Sequence, residues 1–157
     1  MTSKYTNSIQ PSPDDLRKTS SAYLAGGKKQ EEWIIEDLFI DGETLKAIIN
    51  MKSFYQPQPE NIAFHLSFIT ALEFTSQLAI VYLHHWAQLK DKTNEVWLVK
   101  SICEVGSPIT NPDCIEVYMQ VKSIRKFQGK VYANQEFFIT DHNQGQMRIE
   151  LTGLMEL

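Results

Sequence analysis

From Phe64 to Trp86, apolar residues occupy almost every side of a helical projection, and the run is long enough for one continuous helix ending near Leu89. A helix with so little polar surface is expected to be buried on most of its faces. Thr70, Glu73 and Gln77 lie three or four residues apart, and His84 follows two turns later. That spacing puts them in a narrow polar stripe along one face. A carboxylate in the stripe is expected to be mostly buried. Burial is costly for a charge unless it is paired or its pKa moves. Glu73 is therefore the first candidate for chemistry.

Upstream, Trp33 to Ile40 and Thr44 to Met51 are apolar runs on either side of Asp41-Gly42. Asp-Gly between such runs predicts a hairpin with a type I′ turn, both central residues having positive φ. Pro57 and Pro59 exclude regular structure from the loop that joins this hairpin to the helix. Four strand-like stretches follow over 95–105, 114–127, 130–140 and 146–156, separated by Gly106-Ser107-Pro108, Gln128-Gly129 and Asp141 to Gly145. In the second stretch Ile115, Val117, Met119 and Val121 alternate with Glu116, Tyr118, Gln120 and Lys122. In the last, Met147, Ile149, Leu151, Gly153 and Met155 take the inward positions. The order is strand, strand, helix, then four strands. It predicts an α+β domain, a mostly antiparallel sheet with one long helix packed on it. A sheet wrapped around that helix accounts for the helix's all-round apolarity.

Residues 1–30 contain few large apolar side chains and read as a flexible N-terminal tail, with a short helical turn over 14–24 that could dock Tyr23 and Leu24. The folded domain is then 31–157. With 43% hydrophobic and 22% charged residues, the composition is that of an ordinary soluble domain. The net charge of −4 disfavours a broad nucleic-acid surface. Cys103 and Cys114 form no CxxC and suit neither a disulfide framework nor a zinc site, so reduced thiols are expected. No run reaches the roughly 18 apolar residues of a membrane span, and the first residues lack a signal-peptide core. A cytoplasmic protein without a membrane span is the expectation.

Several residues have chemistry to offer. Glu73 could act as a general base toward water or orient it; it could equally be a buried carboxylate satisfied by its neighbours. His65, near the helix start, could polarise or deprotonate, or could cap the helix and pack the loop. Ser67, Thr70 and Gln77 could bind substrate or water, or could partner Glu73. His84 and His85 fit an interface or a surface, and nothing completes a metal set. The helix N-terminus, near Phe64 to Phe68, offers free amides and a positive dipole end to a developing oxyanion. Phe54, Phe68, Leu72 and Phe74 could wall an apolar chain or simply be core. Lys122, Arg125, Lys126 and Lys130 could meet phosphates or form a solvated face.

The element order, together with particular segments, resembles the hotdog fold of acyl-thioester enzymes. Glu73-Phe74-Thr75-Ser76-Gln77 is similar to the E-A-M-A-Q segment of the 3-hydroxyacyl-carrier-protein dehydratases, and Ser107 to Asp113 is similar to their R-P-V-V-P-G-D turn. A narrower group resembles the chain better, the FcoT-like long-chain fatty acyl-CoA thioesterases. Phe64-His65-Leu66-Ser67 resembles their G-H-F-N, Ser76-Gln77-Leu78-Ala79 their N-Q-L-A, Pro108 to Pro112 their K-P-L-N-P, and Gln146 to Leu154 their final G-E-I-E-L-A strand. The resemblance covers about residues 32 to 157.

The resemblance implies a thioesterase that hydrolyses a fatty acyl-CoA or acyl-carrier-protein thioester, with Glu73 and His65 as catalytic candidates. Tyr55, Asn61, Ser67, Thr70 and Gln77 would bind substrate, Tyr55 and Asn61 at the thioester carbonyl or along an acyl tunnel. It implies no cofactor beyond the coenzyme A or phosphopantetheine carried by the substrate, no metal, and a homodimer or higher homo-oligomer with the site between the helix of one protomer and the loop of the other. Two alternatives stay open: a 3-hydroxyacyl-thioester dehydratase-like hydro-lyase and a non-catalytic acyl-binding module. The dehydratases carry His-Phe-Pro about fourteen residues before the helix glutamate. Here that position falls near Pro59, and His65 precedes Glu73 by eight, so the dehydratase acid–base pair is not preserved. Ser67 and Ser76 stand where the FcoT-like proteins have asparagine.

Overall fold

The computed structural model describes residues 31–54, 64–92 and 94–157, together with the backbone of Leu24–Ala25 and Lys28–Lys29. The chain divides into two units, Met1–Gln30 and Glu31–Leu157. In the first, β1 (Leu24–Ala25) pairs antiparallel with β2 (Lys28–Lys29). The expected tail and its helical turn otherwise lie outside the described residues.

The second unit contains β3 (Glu32–Asp41), β4 (Thr44–Ser53), α1 (Phe68–Trp86), β5 (Val96–Ser107), β6 (Ile115–Phe127), β7 (Lys130–Thr140) and β8 (Gln146–Glu156). Its six strands form one antiparallel sheet in the order β3-β4-β6-β7-β8-β5. The predicted α+β order of two strands, a helix and four strands is thus present. The period-2 pattern settles which face is inner. Ile115, Val117, Met119 and Val121 are buried while Glu116, Tyr118, Gln120 and Lys122 are exposed, and Met147, Ile149, Leu151, Gly153 and Met155 are all buried.

Helix α1 lies on this inner face. Ala71, Phe74, Leu78, Ala79 and Tyr82 pack against Leu45, Ile49, Met119, Phe137 and Ile149 in one core cluster. Fully burying a side chain such as Phe74 or Leu78 is worth about 2–3 kcal/mol. Tyr82 also donates from Oη to the Gly42 carbonyl at 3.0 Å, which ties the last turn of the helix to the β3–β4 turn. Burial, followed by the nearby Glu43 carboxylate, pushes the Tyr82 hydroxyl above its ordinary pKa.

Three expectations need correction. The helix starts at Phe68, because Ser67 is extended (φ −72°, ψ 148°) and its hydroxyl accepts from the Thr70 amide, as an N-cap does. In the β3–β4 turn Asp41 still pairs with Thr44, and of the two central residues only Gly42 has positive φ (55°). That is the pattern of a type II′ rather than a type I′ turn. Finally, the sheet covers one side of α1 and does not enclose it. Phe68 is 52%, Ile69 41%, Val81 38% and Trp86 41% exposed within the single chain.

Candidate functional site

The uncovered side of α1 decides where the predicted polar residues lie. Glu73 is exposed, contrary to the expectation of a mostly buried carboxylate, as is Gln77 one turn later. Residues four apart lie above one another, so Ile69, Glu73, Gln77 and Val81 form an outward row, while Thr70, Phe74 and Leu78 turn toward the sheet. The predicted stripe therefore splits, Thr70 and His84 buried and Glu73 and Gln77 facing out. His84 donates from Nδ1 to the Ile80 carbonyl at 2.9 Å, a bond within its own helix.

Glu73 is held from the sheet side. Trp33, on edge strand β3, donates from Nε1 to Glu73 Oε2 at 3.1 Å. The same indole packs edge-on against Phe74, with ring centroids 5.9 Å apart. The aromatic contact fixes the ring and the ring N–H fixes the carboxylate. Trp33 was not among the residues singled out in the sequence, where it reads only as a strand apolar.

A second carboxylate, one that no motif or periodicity in the sequence marks, lies at the helix N-terminus. Glu31 is 5% exposed and accepts from Ser67 Oγ at 3.0 Å and from the Thr70 hydroxyl. Ser67 Oγ in turn accepts from the Thr70 amide at 3.2 Å. The positive end of the helix favours this charge. Ser67 and Thr70 are thus brought together, but around Glu31 rather than Glu73. The N-cap uses the Thr70 amide, and the first two helical residues, Phe68 and Ile69, are exposed. No local signal could have found Glu31, which lies 36 residues before Ser67.

The segment leading into α1 is anchored by the loop after β5. Leu66 donates from its amide to the Ile109 carbonyl at 2.9 Å. Asp141, almost fully buried, holds that loop: its carboxylate accepts from the amides of Thr110 (2.7 Å), Asn111 (2.8 Å), Asn143 (3.0 Å) and Gly145 (2.7 Å). Burial pushes the Asp141 carboxyl up in pKa, but the four amides outweigh it and hold the carboxyl below its ordinary value. His65 is exposed beside the helix start. Phe54 packs edge-on against buried Phe64, with centroids 4.7 Å apart. Tyr55 and Asn61 lie outside the described residues.

Among the proposed chain-walling residues Phe74 is core, Leu72 half-buried and Phe68 exposed. In the basic run, Lys122 pairs with the buried Glu136 and Lys130 with Glu156 at 3.4 Å, while Arg125 and Lys126 are exposed. Cys103 is half-buried and Cys114 exposed, both as thiols. Among the described residues, no three His, Cys, Asp or Glu side chains gather as a metal set, and no helix is long and apolar enough to cross a membrane. A cavity of about 450 Å³ lies on the opposite, outer face of the sheet, between Phe39, Tyr118 and Phe138, away from the helix.

What the arrangement offers is a carboxylate, held by an indole N–H, about one turn from the N-terminus of the same helix. Ile69 and Glu73 are four positions apart, about 6 Å along the axis. A carboxylate can take a proton from water, and the amides can hold an oxygen that becomes negative.

The chain matches no protein-family model and no curated protein. It does match solved structures in fold. A thioesterase of Haemophilus influenzae aligns with a TM-score of 0.52 and 10% identity, over 94% of this chain and 92% of its own. A mutant thioesterase of Pseudomonas aeruginosa aligns at 0.50 and 12%, over 94% and 96%. A Lactococcus lactis protein provisionally assigned as a thioesterase aligns at 0.53 and 14%, over 76% and 88%. The chain thus shares with proteins described as thioesterases the architecture of a six-stranded antiparallel sheet and one long helix.

Proposed function

We propose that this protein is a hotdog-fold thioesterase that hydrolyses a fatty acyl-CoA or acyl-carrier-protein thioester. The observation that carries the reading is the Glu73 carboxylate, held by Trp33 Nε1 at 3.1 Å on the outward face of α1, one turn from the amides of Phe68 and Ile69. The shared fold with thioesterases supports it.

Water attacks the thioester carbonyl carbon, and Glu73 takes a proton from that water. The carbonyl oxygen, now negative, sits against the amides of Phe68 and Ile69. Collapse of the tetrahedral intermediate breaks the C–S bond, and the leaving sulfur takes the proton from Glu73. The products are the free acid and the thiol of coenzyme A or phosphopantetheine. Gln77, one turn beyond Glu73, orients the water. His65 lines the thioester, Tyr55 and Asn61 keep the substrate-binding role the resemblance implies for them, and Ser67 and Thr70 act by fixing the helix start. No cofactor beyond the substrate's own carrier takes part.

The working unit in this reading is a homodimer, formed by the domain 31–157, in the cytoplasm. Edge strand β5 supports it. Among the described residues β5 pairs only with β8, and it exposes Trp97 (60%), Val99 (59%) and Val105 (56%) along its twelve residues. A long apolar edge left bare templates strand pairing. The FcoT-like preference for long acyl chains belongs to the same proposal.

Assaying release of free thiol from acyl-CoAs and acyl-carrier proteins of several chain lengths tests the reading. Hydrolysis that Glu73→Gln lowers by about 10²-fold or more is expected. Saturable acyl-CoA binding without any hydrolysis would replace the enzyme by an acyl-binding module.

A further inference from the structure

Gln135 is a polar residue in the middle of an apolar layer. It lies on β7, in the inner-facing series Val131, Ala133, Gln135, Phe137 and Ile139, and is 1% exposed. Among the described residues neither Oε1 nor Nε2 has a hydrogen-bond partner. A buried primary amide with both atoms unpaired is costly, and native proteins tolerate few such groups without a function for them. Gln135 lines a small cleft between α1 and β5, with Ser76, Ile80, Trp97, Leu98 and Gly153 among the other walls. The cleft has room for about 30 Å³. That holds one water-sized group.

The position of the cleft connects it to the proposed chemistry. Ser76 and Ile80 follow Glu73 by three and seven residues on the same side of the helix, roughly 5–10 Å along its axis. A substrate with its carbonyl at Glu73 reaches the cleft with the first part of its acyl chain. Ser76 donates its proton to the Leu72 carbonyl at 2.6 Å, so its oxygen presents lone pairs to a neighbour. The polar groups available are therefore an amide donor, an amide acceptor and a hydroxyl acceptor, none of them charged, within an apolar rim. A hydroxyl satisfies both amide atoms, because it donates and accepts at once. A keto oxygen satisfies only Nε2. A charged group would lose its hydration against Trp97 and Leu98 without an opposite charge to meet it.

We propose that the Gln135 cleft is a specificity subsite that recognises a hydroxyl on the acyl chain of the substrate. This rests on the thioesterase reading for the placement of the carbonyl. An unsubstituted chain that seals the cleft leaves the amide unpaired, whereas a hydroxylated chain pairs it.

The test measures binding and hydrolysis separately, with medium-chain acyl-CoAs that differ only by one hydroxyl, its position varied along the first carbons of the chain. Quenching of tryptophan fluorescence reads binding, since Trp97 lines the cleft. The full-length protein is expected to bind the best-placed hydroxyacyl-CoA about tenfold or more tightly than its unsubstituted counterpart. Gln135→Leu, close in volume, should remove that preference while keeping affinity for the unsubstituted chain. Gly153→Ala is a second variant whose Cβ meets nothing closer than Val96 Cγ1 at 3.5 Å, so it narrows the cleft without a clash and should also weaken the preference. Equal binding of the two chains by the wild type would overturn the subsite and leave Gln135 holding a water. A preference that survives Gln135→Leu would also overturn it, as would no binding of any acyl-CoA. Hydroxyacyl binding without hydrolysis would keep the subsite and remove the thioesterase reading. Hydrolysis with no hydroxyl preference would do the reverse.

Discussion

Trp33 Nε1 donates to Glu73 Oε2 at 3.1 Å, joining edge strand β3 to the outward face of the helix. In the proposed mechanism this bond holds the base in place. Glu73→Gln removes the base and should lower kcat by about 10²-fold or more with little change in KM. Trp33→Phe keeps the ring packing on Phe74 but loses the donor. A smaller loss in kcat is expected, about three- to tenfold, because the bond is partly exposed to water. Steady-state kinetics on the two variants checks the order. Equal losses would mean that Trp33 does more than orient the carboxylate.

Asp141 gives the fold a dependence on pH. Its carboxyl has a lower pKa folded than unfolded, so the stability it adds is fully present above the unfolded value, about pH 4. That stability is lost as pH falls through the folded value. Asp141→Ala leaves four amides without their acceptor and should cost about 2–4 kcal/mol at neutral pH. Thermal unfolding of wild type and variant from pH 7 to pH 2.5 should show the gap in Tm closing at the acid end. A constant gap would assign the loss to packing instead.

Gly145 lies inside the same clamp. A Cβ there would come within 2.5 Å of the Pro108 carbonyl oxygen and 2.6 Å of Ile109 Cα. Both are backbone, so the loop must move. Gly145→Ala should destabilise the domain by about 2–3 kcal/mol. Since Ile109 accepts from the Leu66 amide, activity should fall as well. Urea unfolding and kcat at a temperature where the variant is folded separate the two effects.

Ser67 carries two duties, capping α1 and donating to Glu31. Ser67→Ala should cost about 1–3 kcal/mol, more than a cap alone, because a buried carboxylate loses a donor. Chemical denaturation gives the number. A loss of only a few tenths of a kcal/mol would mean that the Thr70 hydroxyl alone satisfies Glu31.

Lysines at Val99 and Val105 should block edge pairing through β5. Sedimentation of the double variant V99K/V105K should give a monomer where the wild type gives a dimer, and activity should fall with dimer content. A wild type that is monomeric at assay concentrations yet fully active would remove the dimer from the proposal.

Much of this architecture was legible in the chain. Alternation along β6 and β8 marks their inner faces, because successive side chains on a strand point to opposite sides. Gly42 marks the hairpin, because the first turn residue needs positive φ. Ser67 is a residue type that caps helices, although the apolar residues before it carry the predicted helix one turn too far. The all-round apolarity of α1 predicts enclosure by a sheet. In the single chain it is a buried side and an exposed apolar side, a difference that periodicity cannot express.

The sequence by itself determined the element order, the inner faces of β6 and β8 and the row that places Glu73 beside Gln77. These depend on periodicity and turn chemistry, which are local. Only the tertiary structure decided that Trp33 holds Glu73, that Glu31 takes Ser67 and Thr70, that Asp141 clamps the loop under Leu66, and that Gln135 is left unpaired behind Ser76. Each of these joins residues 30 or more positions apart, or depends on which neighbours a buried atom lacks. A chain records such relationships only once its strands have been set in register.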